Sequence, residues 1–159
     1  MKFKKIFIVA IALFMLTFAQ SAYAESIKPF AAGIGDTIDT AIPISPNTGF
    51  MSLFLSNQFD VDFFTWKNTT NSPLFVDFSL RPPIGSNYNY VYDFEYFIRY
   101  PDGISSTSAQ AVDKFLSTKF VSRVYLPANC EIFFMVKATV FNNPTDFYEV
   151  AMGTSSINY

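Results

Sequence analysis

The chain has 159 residues, is half hydrophobic and 19% aromatic, and carries 15% charged residues with a net charge of −2. It has no histidine and one cysteine, Cys130. Those absences exclude Ser-His and Cys-His nucleophile systems and the usual histidine-ligated zinc sites, and they leave no internal disulfide.

The first 24 residues read as an address. Lys2, Lys4 and Lys5 are followed by an apolar run from Ile6 to Phe18, and Ala22-Tyr23-Ala24 fits a small-x-small cleavage pattern. The run is shorter than the roughly 20 residues of a membrane span. The expectation is cleavage after Ala24, a mature chain starting at Glu25, secretion, and no membrane association afterwards. Losing three lysines and no acid leaves 8 basic against 13 acidic residues. That balance argues against a phosphate-binding surface, so nucleic acid is not an expected partner.

Residues 25–35 are small and irregular, a flexible lead-in. In Asp36–Ile44, Ile38, Ala41 and Ile44 are expected to touch a core. Ser45-Pro46-Asn47-Thr48-Gly49 is turn chemistry. Phe50–Ser56 alternates with apolar residues on both sides, which predicts a strand covered on much of both faces. Phe59–Lys67 is the stretch on which the chain centres. Asp60 and Asp62 would share a face, Phe64 and Trp66 would point inward, and Phe63, Thr65 and Lys67 would lie half wet. Asp60 is also expected to cap the amides of the preceding turn.

After a polar loop from Asn68 to Pro73, Leu74–Leu80 alternates cleanly, as half-buried antiparallel strands do. Two prolines, Pro82 and Pro83, end it. Val91–Tyr100 is the next strand, closed by Pro101-Asp102-Gly103. Ala109–Leu116 has spacing compatible with one or two helical turns. Phe120–Leu126, a long strand through Ile132–Val140 and Phe147–Met152 complete the pattern, and residues 153–159 read as a tail. Cys130 reads as a small buried apolar side chain. Seven or eight short strands with turns every 8–12 residues predict an all-β fold: one antiparallel β-sandwich or jelly roll over residues 36–152.

Several local motifs occur in an order that resembles the bacterial pre-peptidase C-terminal domain family. Asp36 leads to Ala41 and Pro43. Asp60-Val61-Asp62-Phe63-Phe64 is similar to the family's Asp-x-Asp-aromatic-aromatic signature. Tyr100-Pro101-Asp102-Gly103 resembles its hairpin turn, Leu126-Pro127-Ala128-Asn129 with Phe133-Phe134-Met135-Val136 its turn and penultimate strand, and Phe147-Tyr148-Glu149-Val150 its closing strand. Asn129-Cys130 stand where the family has a glycine, and asparagine tolerates the left-handed backbone needed there. Gly33 and Gly35 stand where calcium-binding members carry glutamate and asparagine.

The resemblance implies a non-catalytic accessory domain that aids a secreted enzyme or holds an extracellular polymer, protein or polysaccharide. Asp36, Asp60 and Asp62 are the calcium candidates. Calcium takes six to eight oxygens, so three carboxylates imply weak binding at most, and no other cofactor is expected. Tyr88 and Tyr90, beside Asn87 and Asn89, are the candidate ligand-binding pair, because aromatic rings give flat apolar area with a polar tip. The alternative is a structural or interaction protein of the cell surface or matrix, or an inhibitor of a secreted partner. An enzyme would have to use Asp60/Asp62 or Asp93/Glu95. Charged outward faces account for those pairs more simply, so no catalytic residue is assigned.

Overall fold

The computed structural model describes residues 34–82, 92–113, 118–141 and 147–157. The strands are β1 (Ile42–Pro43), β2 (Met51–Phe54), β3 (Val61–Lys67), β4 (Leu74–Arg81), β5 (Tyr92–Arg99), β6 (Ala109–Gln110), β7 (Val112–Asp113), β8 (Lys119–Leu126), β9 (Glu131–Ala138) and β10 (Phe147–Ser156). Seven of them are four residues or longer. They form two sheets, β1-β3-β9-β5-β6 and β2-β10-β4-β8-β7. Pairings are antiparallel except β1 with β3, which is parallel. The described residues form an all-β sandwich.

Aromatic side chains join the two sheets. Phe78 of β4 stacks on Phe134 of β9 with centroids 3.9 Å apart, and meets Phe94 of β5 edge-on at 4.9 Å. Phe64, Phe78, Phe94 and Phe134 are all fully buried. Offset-stacked and edge-to-face pairs add about 0.5–1.5 kcal/mol each beyond area burial. Cys130 is buried and unpaired, as its small apolar character suggests.

Several local expectations are corrected. The central stretch does not pack along its whole length: its first residue, Phe59, is 92% exposed, at the tip of the turn before β3. Ile38 is also exposed, and Ile44 alone of its set of three is fully in the core. Phe50, just before β2, is 46% exposed and Ser52 within β2 is exposed as well, so the strand is not covered on both faces. Trp66 packs against the core but stays half-buried. The helical spacing at Ala109 gives instead the two short strands β6 and β7, and residues 114–117 lie outside the described residues. β10 continues past Met152 to Ser156, which pairs with Leu74.

β8 carries a bulge. Its register against β4 shifts between Val76 and Phe78, and Arg123 takes φ 55°. The Asp77 carboxylate accepts from the Ser122 hydroxyl (2.8 Å) and the Arg123 amide (2.9 Å), holding the extra residue in place. Val121 and Val124 therefore both point inward, although three positions apart.

The polar loop after β3 is organised by Asn68, which is fully buried. Its side-chain amide reaches the carbonyls of Ser72 (2.9 Å), Pro127 (3.1 Å) and Leu126 (3.3 Å), and its side-chain oxygen accepts from the Thr70 amide (3.1 Å). Asn129 takes φ 62° in the neighbouring turn, the left-handed conformation expected of it.

Candidate functional site

Asp62 occupies an inward position of β3, two residues before Phe64, so the pleat drives its carboxylate toward the core. It is 4% exposed and accepts a hydrogen bond from the hydroxyl of Tyr148, which is fully buried on β10 of the other sheet. Burial pushes the Asp62 carboxyl up to about 7; the Tyr148 bond opposes this, and the carboxylates of Asp60 and Asp36 add to it. Burial and the neighbouring Asp62 raise the Tyr148 phenol well above its ordinary value.

Asp60 ends the turn that leads into β3. One of its oxygens accepts from the Ser56 amide (2.6 Å) and the other from the Val61 amide (2.9 Å), the capping role the sequence suggests. Asn57 completes the turn by accepting from the Phe59 amide at 2.8 Å.

Asp36 arrives by a different route. The Gly35 carbonyl accepts from the Phe63 amide at 2.7 Å, which ties the segment to β3. Gly35 has φ +88°, and a Cβ there would come within 3.0 Å of the Ile42 side chain. The positive φ favours glycine at this position, and a side chain there would also press on Ile42. Downstream, Thr37 and Thr40 cap a single turn of 3-10 helix, Ile38–Thr40. The result is that Asp36, Asp60 and Asp62 each bring a carboxylate oxygen within 4.8 Å of the other two.

Such a cluster can hold a proton or a divalent cation. The charged neighbours that act on Asp62 are both carboxylates, so repulsion is relieved by either. The donor chemistry is the hard oxygen type that suits calcium, with three side-chain ligands against the six to eight that calcium takes.

The other carboxylate pair is engaged elsewhere. Glu95 is bonded to Lys137, which with burial opposing holds its carboxyl below the usual range. Asp93 lies 3.8 Å from Lys119 and accepts from the Phe94 amide. Tyr88 and Tyr90 lie outside the described residues. Tyr148 was legible only as part of a closing aromatic strand. A tyrosine at an inward position needs a buried acceptor for its hydroxyl, and the inward Asp62 was the available one.

No family model matches the sequence, and no curated protein does. Among solved structures, the pre-peptidase C-terminal domain of a collagenase from Bacillus anthracis is similar. It is 14% identical, with 70% of this chain and 93% of that chain covered and a TM-score of 0.47. A protein from Sulfurospirillum deleyianum is 9% identical, with 71% of this chain and 100% of that one covered and a TM-score of 0.43. Residue roles rest on this chain's own side chains. No helix among the described residues is long and apolar enough to cross a membrane.

Proposed function

We propose that this chain is a secreted, non-catalytic accessory module that holds an extracellular polymer, protein or polysaccharide, or assists a secreted enzyme at one. The observation that carries the reading is the state of its carboxylates. Asp62 takes the Tyr148 hydroxyl, Asp60 caps a turn, Glu95 pairs with Lys137 and Asp93 faces Lys119. General acid–base work needs a carboxyl within reach of a substrate proton, and these groups are spent on holding the sandwich. The absence of histidine from the sequence supports the same reading. The Asp36-Asp60-Asp62 corner is the place for a weakly bound calcium ion, which would add rigidity to the start of β3.

Co-sedimentation with insoluble collagen, chitin and bacterial cell wall tests the reading. Depletion from the supernatant by one of them is expected. A chain that stays in solution with all three, and that instead co-purifies with a secreted protein or with itself, would favour the structural or inhibitory role.

A further inference from the structure

A groove crosses the outer face of the β2-β10-β4-β8-β7 sheet, with a volume of about 270 Å³. Its floor is low because the facing residues are small: Ser79 of β4 pairs with Ala151 of β10, and Asp77 pairs with Gly153. Phe120 of β8, in register with Ser79, forms one wall. Asn47 and Gly49 form the other, anchored where the Asn47 amide donates to the Met152 carbonyl at 2.8 Å. The Asn47 side-chain oxygen lies 3.4 Å from where a Cβ on Gly153 would stand, so this wall leans directly over the floor.

The chemistry of the lining is mixed. Phe120 and Ala151 offer apolar surface. Asn47, Ser79 and Asp77 offer polar groups, and the Asp77 carboxylate is fixed by its two bonds to the bulge in β8. Charge is balanced around the groove. Arg123 stands beside Asp77, and two register positions beyond Ser79 the Arg81–Glu149 ion pair closes at 2.8 Å. Aromatic rings mark both ends of the track. Phe75 faces Tyr125, which is 52% exposed, under the Arg123 guanidinium. Phe50 lies under Arg81, 3.4 Å from ring centroid to guanidinium carbon. From Phe75 to Arg81 the strand covers about 20 Å.

We propose that this groove is a subsite for one ring of a neutral polysaccharide, with the chain of the polymer running along β4. The inference rests on the polymer-binding reading and gives it a site and a ligand class. A sugar ring presents a C–H face to aromatic and methyl surface and hydroxyls to a few fixed polar groups, which is what the lining supplies. The volume, just below the 300–1,000 Å³ of drug-sized sites, suits a single ring. The balanced charge selects against polyanions and polycations. An extended polypeptide is disfavoured, because β4 is paired on both sides through Ser79 and no free ladder remains for strand addition.

Affinity electrophoresis in gels containing soluble β-glucan, mannan or xylan, with gelatin as the polypeptide probe, tests this. The unaltered chain is expected to be retarded by at least one of the neutral glycans. Ala151→Leu, which fills the floor, and Tyr125→Ala, which removes an exposed ring, should each weaken that retardation tenfold or more. Phe59→Ala, whose ring is exposed on the turn before β3, should not. Melting temperatures of the variants separate lost binding from lost folding, and Tyr125→Ala serves if Ala151→Leu does not fold. Retardation unchanged in both groove variants, retardation by gelatin alone, or no retardation by any glycan would overturn the groove. If the unaltered chain still sediments with an insoluble polymer in those cases, the module reading stands without it.

Discussion

Tyr148 of β10 donates its hydroxyl to Asp62 of β3, a polar bond that crosses the core from one sheet to the other. It sits beside the Asp36-Asp60-Asp62 corner, so the packing of the sandwich and the charge of that corner are coupled through one carboxyl.

Stability should therefore depend on the ionisation of Asp62. Its carboxyl, ordinarily at 3.8, is raised to about 7 in the folded chain. The folded state then binds the proton more tightly than the unfolded one. The extra stability is fully present below about pH 4 and is lost as pH rises through about 7. The difference is about 4 kcal/mol by the usual conversion. Melting temperature should fall between pH 5 and pH 8, and Asp62→Asn should flatten that fall. A wild-type curve that rises over this range would contradict the assignment.

Calcium should act against the same proton. A cation favours the ionised carboxylates, so calcium should raise the melting temperature more at pH 8 than at pH 5.5. With three carboxylates supplying the protein side chains, the effect is expected at millimolar calcium. Stabilisation reaches about 2.7 kcal/mol at a hundredfold excess over Kd. A strong rise with micromolar calcium would mean that the site has more ligands than these three. Asp36→Asn should reduce the response without changing the fold, since Asp36 is exposed.

Phe64 and Trp66 separate core from margin on one strand. Phe64 is fully buried against Phe78 and Tyr148, with ring centroids 6.2 and 6.4 Å away. Phe64→Ala should cost about 3–5 kcal/mol, a large share of a typical total of about 5–15. Trp66 is half-buried, so Trp66→Ala should cost visibly less. Urea denaturation of the two variants measures both, and equal losses would place Trp66 in the core proper.

Asn68 should matter more than its place in a polar loop suggests. Asn68→Ala leaves the carbonyls of Ser72, Leu126 and Pro127 without this donor, and an unsatisfied buried group costs about 1–3 kcal/mol. Asn68→Asp should be no better, because a carboxylate cannot donate to carbonyls. Thermal melts check both, and a variant as stable as the parent would show that water replaces the amide.

The sandwich was legible because its strands alternate: Val76, Phe78 and Leu80 point inward with Asp77 and Ser79 between them, and Ile132, Phe134 and Val136 share the inward face of β9 although Phe133 on its other face is buried too. β8 shows where that rule stops. Strict alternation from Val121 would send Arg123 and Tyr125 inward, and the bulge held by Asp77 reverses them; the information lies in a side chain 46 residues away. Asp60 and Asp62 were legible as a pair because they flank one residue. Their meeting with Asp36 was anticipated only through the family resemblance, and the fixed geometry depends on Gly35 and its bond to Phe63. Asn68 read as loop because a buried asparagine and a solvated one look alike until their acceptors are known. The groove was invisible for a similar reason, since Ser79, Ala151 and Gly153 become a floor only when β4 and β10 are set side by side.

The most direct test mixes the purified chain with fluorescently labelled insoluble polymers and follows two quantities together: protein lost from solution and label released into it. The account predicts saturable loss of protein to at least one polymer with no soluble label above the protein-free control. Release of labelled fragments in proportion to the protein added, or no loss to any polymer, would contradict it.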